Sequence, residues 1–396
     1  MEDFLIKDQI EKDKKKIIDT RRKLHRMAEV SGKEFNTSRF LKEEVEKLGL
    51  AIVEVSTTGF YAVLDSGRPG RTLALRTDID ALPICENSFN LTRQKYSVSD
   101  NKEASHACGH DGHMTILLES MKLLVENKDK IKGRIIFIFE EGEETGCGII
   151  PMIKALEKEN IDAFYGNHLA NFLKTGEIAI DKGPIMAGFI RTRFTIKGVG
   201  GHSSRPDLAV SPIFAQAAII QSLASSWVNR LDPTKTVTLG LSTIHGGSAH
   251  NVIADKVTID GTLRFFDREE VDKAIEQIDI VGKNIAKAHG CDFINETGDE
   301  QYDPVINDPD LSRLMKENIK DYFGDKIKKD VRWFASESFE LYGKLAPSLF
   351  ALVGMANDKK GSGAEHHTPE FDLDEDSLDY GIYAMVKFAI SFLANN

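Results

Sequence analysis

Two kinds of strand pattern occur in this chain, and their order along it is the tightest constraint on its fold. Residues 72–76 (TLALR), 134–139 (RIIFIF) and 348–354 (SLFALVG) are short continuous apolar runs, as expected of parallel strands covered on both faces by helices. They lie early and late. Between them, residues 189–197 (FIRTRFTIK), 236–242 (TVTLGLS) and 257–265 (VTIDGTLRF) alternate, with Ile190, Phe194 and Ile196 on one face and Arg191, Arg193 and Lys197 on the other. That pattern predicts an antiparallel sheet with one solvated face. Helical rhythms follow the same division. Residues 112–126 and 374–393 accompany the buried runs, with Asp372 and Glu375 as a capping box for the second. A helix capped by Asp267 and Glu270, and another over about 208–230, lie in the middle. The expectation is one α/β domain with a mostly parallel central sheet, residues 1–185 and 301–396, interrupted by an α+β domain at 186–300.

At 396 residues the chain is too long for a lone small binding module. With 51 Lys and Arg against 62 Asp and Glu, the formal charge of −11 works against a sequence-wide attraction to nucleic acid or an anionic membrane. A small molecule or another protein is the expected partner. The four cysteines, Cys85, Cys108, Cys147 and Cys291, have no CxxC spacing, which argues against a disulfide framework and for a reducing compartment. The charged N-terminus lacks the apolar run of a signal peptide, and no stretch approaches the ~18 apolar residues of a membrane span. A cytoplasmic location follows as the expectation.

The strongest local signal is Ser105-His106-Ala107-Cys108-Gly109-His110-Asp111-Gly112-His113, which packs three histidines, a cysteine and an aspartate into a loop-to-helix junction. Imidazole and thiolate together suit zinc and similar divalent ions. Taken singly, His106 and His113 read more readily as cap and surface residues than as ligands. Glu143 and Glu144 come directly after the buried run 134–139, where ligands collect in open α/β sheets. Adjacent glutamates can divide the work, one ligating metal and the other acting on water. Asp78 and Asp80, His168, and His366 with His367 recur at the same address after other apolar runs. Donors arriving from distant segments are how catalytic metal sites are built. The middle domain adds two glycine-flanked polar loops, GHSSRP (201–206) and GGSAHNV (246–252). The chain lacks HExxH, GxxxxGK[ST] and GxSxG, which removes zincins, P-loop enzymes and nucleophile-elbow hydrolases.

These residues, with LALRTDIDALPI (73–84), EEGEETGCG (140–148), GTLRFFD (261–267) and HHTPEF (366–371), resemble in order and spacing the dinuclear metal amidohydrolases. That family includes aminoacylases, hippurate hydrolase, auxin-conjugate hydrolases and N-acetyl-diaminopimelate deacetylases, a cysteine-ligand branch of the metallo-aminopeptidase and carboxypeptidase clan. The resemblance implies that the α/β domain is catalytic and that the inserted domain is a lid through which a homodimer forms. It implies two divalent ions per subunit, zinc, manganese, cobalt or nickel, with Cys108, His110, Glu144, His168 and His367 as ligands. Glu143 is then the general base, and Asp78 orients a ligand. His202 is implied to reach across the dimer to the scissile carbonyl, while Asn251 and Arg264 hold the substrate carboxylate. Arg264 sits on the polar face of its strand, where a guanidinium can pair bidentately. The implied reaction is hydrolysis of the amide bond in an N-acyl amino acid or a small peptide-like conjugate with a free carboxylate.

Departures from the family pattern exist. Arg76 stands where many relatives have histidine, a feature of the cysteine branch. Glu140-Glu141-Gly142 replace a common Gln-Pro-Ala, and Asp207 and Ser211 also differ. From the residues alone, two alternatives remain open: a hydrolase using Cys108 as nucleophile beside a histidine, and a non-catalytic dimer that binds a small carboxylate.

Overall fold

The computed structural model describes residues 3–394, which form two compact units. The first comprises the chain up to Ile185, then Ile306–Val331, and the chain from Ser338 onward. The second is Met186–Val305 together with Arg332–Glu337, a short return that no strand pattern marks.

In the first unit, the three apolar runs become the strands Thr72–Asp78, Arg134–Glu140 and Ser348–Ala356, joined by Ala163–Lys174. These four pair in parallel at the centre of an eight-stranded sheet. Its neighbours Phe60–Asp65 and Ile178–Ala179 run antiparallel to them. The helices Asp3–Arg26, His110–Glu126, Pro309–Phe323 and Ser377–Ala394 cover one face, burying Leu24, Leu117, Ile319 and Phe388 against Leu73, Leu75 and Phe137. On the other face, Phe164 and Phe350 pack against Tyr342 and Phe339 of the turn Ser338–Lys344. Cover on both faces is the reason these strands read as unbroken apolar runs.

The C-terminal helix begins later than its rhythm predicts, and the expected capping box does not form. Asp372 accepts from the N–H of Leu373, and Glu375 is drawn into a bidentate pair with Arg22 at 2.7 and 2.6 Å. Ser377–Ala394 is also the one helix among the described residues long and apolar enough to cross a bilayer. Its apolar side chains Leu378, Ile382, Met385 and Phe388 lie in the core instead.

The second unit holds the alternating strands Gly188–Lys197, Val237–Gly246 and Lys256–Phe265 in an antiparallel sheet, with Asp292–Asn295 and Gln301–Tyr302 added to the first. Ile190, Phe194 and Ile196 are buried beneath the helices Pro212–Arg230 and Arg268–Ala288, while Arg191, Arg193 and Lys197 point to the wetter face. Asp267 caps the second helix by accepting from the N–H of Glu270. The first helix starts at Pro212, after an isolated turn at Pro206–Leu208, because a proline is well placed only in a helix's first turn.

Candidate metal centre

In a parallel sheet, side chains at the carboxyl ends of strands face one crevice. Thr72–Asp78 ends there with Asp78, followed by Asp80 in the next turn. Arg134–Glu140 ends with Glu140, and Glu143 and Glu144 follow on a single turn of 3₁₀ helix. Ala163–Lys174 stays paired with Thr72–Asp78 only as far as Gly166 opposite Arg76, so His168 stands where its neighbour has stopped. It lies within a long strand, not after a short one. Cys108 and His110 flank Gly109, whose φ of 92° is accessible to glycine without strain and lets both side chains turn to one point. His367 has a φ of 62°, uncommon for a residue with a Cβ, and its N–H is held by the carbonyl of Ala107 at 2.9 Å.

The five expected ligands are brought together. Cys108 Sγ lies 3.5 Å from His168 Nε2 and 3.4 Å from His367 Nε2. Glu144 Oε1 lies 3.3 Å from His367 Nε2 and 3.8 Å from His110 Nε2. Two donor triads, Cys108–His110–His168 and Cys108–Glu144–His367, share the thiol, and a third group, His110–Glu143–Glu144, links them and brings in Glu143. His110 Nε2 and Glu144 Oε1 are buried without a hydrogen-bond partner. Orphaned buried polar atoms facing each other are costly unless a cation lies between them. A set of thiol, imidazole and carboxylate fits divalent ions of the zinc type.

Asp78, His110 and His113 form a further close group, but His113 has no nitrogen to offer. Its Nε2 accepts from the N–H of Leu169 at 2.9 Å, so Nδ1 carries the hydrogen and donates to Asp78 at 2.9 Å. Its role is structural support, and it is not a ligand.

Burial, reinforced by the Glu144 carboxylate, pushes the Cys108 thiol well above its ordinary pKa. That is the opposite of what a free thiolate nucleophile needs. Burial and the neighbouring His113 hold His168 well below the usual imidazole range. For His110, burial disfavours the charged ring, yet Asp78 and Asp80 raise its pKa well above the ordinary value.

Sequence reasoning gave Asp78 a supporting role and noted Arg76 and Glu140 as departures, but it did not find how they brace this centre or that Ser338 and Tyr342 join them. Arg76 donates from Nε to Glu140 at 2.8 Å and from Nη1 to Asp78 at 2.9 Å. The two departures from the family pattern, Arg76 and Glu140, are therefore partners in one buried ion pair. Ser338 and Tyr342 complete the network by donating to Glu140, each at 2.7 Å. The N–H of Ser338 also holds Glu143 Oε1 at 3.0 Å. Behind the centre, fully buried Arg21 and His25 bind Asp111, next to His110, at 2.7 and 2.8 Å. No local signal marks Ser338, whose contacts are with residues about 200 positions away.

The remaining candidates lie in the second unit. Gly201–His202 pairs with Val252–Ile253, and the N–H of Ser203 bonds the carbonyl of Asn251 at 3.1 Å. His202 and Asn251 thereby line one concavity of about 920 Å³, together with Arg193, His245 and Ser248. The exposed His202 accepts at Nδ1 from the N–H of Ser204, which leaves Nε2 as the ring's N–H donor. Arg264 does not line this concavity. It lies over the ring of Phe189 at 4.9 Å, with Nη1 buried and unpartnered.

Residues 74–391 match the model of the peptidase family M20/M25/M40. A thermostable carboxypeptidase of Saccharolobus solfataricus is 32% identical over 95% of this chain and 95% of its own. An N-acetyl-L-cysteine deacetylase of Bacillus subtilis is 32% identical over 96% of this chain and 89% of its own. Among solved structures, a dinuclear metal binding peptidase of the M20 family from Bacillus subtilis superposes with a TM-score of 0.83 at 26% identity, covering 96% of this chain and 99% of that one. The crevice of shared thiol, imidazole and carboxylate donors thus sits on a fold whose matched relatives are hydrolases, and the chain belongs to the M20/M25/M40 peptidase family.

Proposed function

We propose that the protein is a dinuclear metal-dependent amidohydrolase that cleaves N-acyl amino acids or small peptide-like conjugates with a free carboxylate. The observation that carries the reading is the pair of donor triads sharing Cys108, with Glu143 beside them tied to a backbone N–H. Cys108, His110, Glu144, His168 and His367 would hold two ions of zinc, manganese, cobalt or nickel. Ions so held supply Lewis acidity and acidify water. Glu143 takes a proton from the attacking water and delivers it to the leaving nitrogen. His202 donates from Nε2–H to the oxyanion. Arg264, whose buried Nη1 lacks a partner, receives the substrate carboxylate with help from Asn251. Carboxypeptidase and N-acetyl-L-cysteine deacetylase, the names of two relatives, share an amide bond to an amino acid with a free carboxylate.

The proposed assembly is a homodimer through the second unit, in which His202 would act at the partner's site. The strand Val237–Gly246 is a sheet edge with Ile244 exposed, and helix Pro212–Arg230 exposes Phe214 and Val228. Such an edge and its apolar neighbours are covered in a stable protein. Four unpaired cysteines, one of them a ligand, fit a cytoplasmic location.

A panel of N-acetyl, N-benzoyl and indole-acyl amino acids, assayed on chelator-treated protein with each metal restored singly, tests the reading. Turnover that vanishes with the metal and returns with it is expected. Full activity after chelation points to Cys108 as nucleophile and overturns the proposal.

A further inference from the structure

We infer that Asp80 is the positioning residue that couples the two donor triads, a role separate from that of Asp78. The inference rests on the metal-site reading above. Asp80 is completely buried in the turn after Thr72–Asp78. Its Oδ1 and its main-chain carbonyl both accept from His110 Nδ1–H, at 3.1 and 3.0 Å. Its Oδ2 accepts from the N–H of Glu144 at 3.1 Å and from Ser31 Oγ at 2.6 Å. One carboxylate therefore grips a member of each triad: the ring of His110 in the first and the backbone of Glu144 in the second. With a hydrogen fixed on Nδ1, the neutral ring of His110 presents the lone pair of Nε2. With its backbone fixed, Glu144 turns Oε1 toward that lone pair at 3.8 Å.

Asp78 works differently. Besides Arg76, and His110 Nδ1 at 3.7 Å, it reaches His113, and His113 reaches the N–H of Leu169, the residue after His168. That path ends in the first triad only. The two aspartates, two residues apart, thus divide the support of the centre: Asp80 sets the triads relative to each other, and Asp78 with His113 steadies one of them.

The test is titration of metal-free protein with Zn²⁺ alone, reading both stepwise dissociation constants by equilibrium dialysis and metal analysis. Wild-type protein should bind two ions. In Asp80→Ala both constants should rise together, each about 10- to 100-fold, the usual effect of removing an outer partner of metal ligands. In His113→Gln, which keeps an acceptor for Leu169 but loses Asp78, one constant should rise and the other stay. Thermal midpoints and near-UV circular dichroism of the metal-free proteins serve as controls for folding. If Asp80→Ala does not fold, Ser31→Ala removes a bond to the same oxygen, and both constants should rise several-fold. A single constant moving in the Asp80 or Ser31 variant, or no movement in either, overturns the inference. So does loss of a whole ion in His113→Gln, since His113 would then be a ligand. Wild-type protein that binds no metal defeats the metal-site reading itself, a separate result.

Discussion

The crevice of the first unit and the His202 loop of the second are built on opposite plans. Every donor in the crevice except His367 is mostly buried, and its supports Asp78, Asp80, Arg76 and Glu140 are almost completely so, each with two or more partners. His202 is exposed, held only by its own loop and by a two-residue ribbon, and Arg264 lacks an acidic partner among the described residues. The contrast separates two tasks. On the proposed reading, groups that would hold ions and move protons must be in place before substrate arrives, because geometry lost there is lost in the rate. Groups that receive substrate must be left unsatisfied until it comes. Substitutions in the crevice should therefore abolish chemistry, and those in the second unit should change binding.

The largest effect expected is for Cys108→Ala, which removes the donor common to both triads. Bound metal, measured after dialysis, should fall below two ions per chain and activity should reach background. Full metal content in that variant would remove Cys108 from the ligand set. Glu143→Gln should come next, with turnover down about 10²- to 10⁴-fold and metal retained, since an amide cannot accept the water's proton. If metal leaves with Glu143→Gln and stays in Glu144→Gln, the roles of the two are reversed.

In the second unit, Arg264→Ala should raise KM for carboxylate substrates by about 10- to 100-fold, corresponding to a lost charge-assisted pair of about 1.5–3 kcal/mol. Substrates with the carboxylate amidated should show little further loss. A fall in kcat at constant KM would mean that Arg264 acts in the chemistry, and the division between the units would fail.

The smallest effect sharpens the meaning of preorganisation. Thr58 Oγ1 lies 2.6 Å from Glu141 Oε2 and 2.8 Å from Glu34 Oε2, but a hydroxyl has only one hydrogen to give. An arrangement in which Glu34, as the acid, donates to Thr58 and Thr58 donates to Glu141 satisfies both contacts. Consistently, burial raises the pKa of Glu34. Burial opposes ionisation of Glu141 too, yet hydrogen bonds from Thr58 and Gly59 carry its pKa down. For Glu34 the favourable contribution is complete below its ordinary value of 4.5 and is lost as pH climbs through the raised one. Glu34→Gln, which donates to Thr58 at every pH, should be neutral at pH 4 and more stable by about 1 kcal/mol at pH 8. Glu141→Gln should be destabilised by about 1–3 kcal/mol at pH 8, because its Oε2 accepts from Thr58 N, Thr58 Oγ1 and Gly59 N. Urea denaturation at the two pH values reads both, and equal shifts for the two variants would refute the shared-proton arrangement.

Strand period, strand order and the chemical types of the ligands are written locally. An unbroken run such as RIIFIF declares a strand covered on both faces, and FIRTRFTIK declares a sheet with one wet face, because side chains alternate every two residues whatever lies far away. The cluster around Cys108 and the Glu143–Glu144 pair are legible for the same reason: each is a few adjacent residues at a strand end or helix start. Tertiary structure alone decided which atoms meet. His168 and His367 reach Cys108 from 60 and 259 positions away. His113 resembles the candidate donor His110 in sequence, and only the N–H of Leu169 at its Nε2 excludes it. The four carboxylates from Glu140 to Glu144 look alike on paper, and partners far along the chain part them: Arg76 takes Glu140, Thr58 takes Glu141, Ser338 takes Glu143, and Asp80 fixes the backbone of Glu144. A hydrogen bond depends on ångström separations between atoms that the sequence keeps tens or hundreds of residues apart, and only the packed sheet brings them within reach.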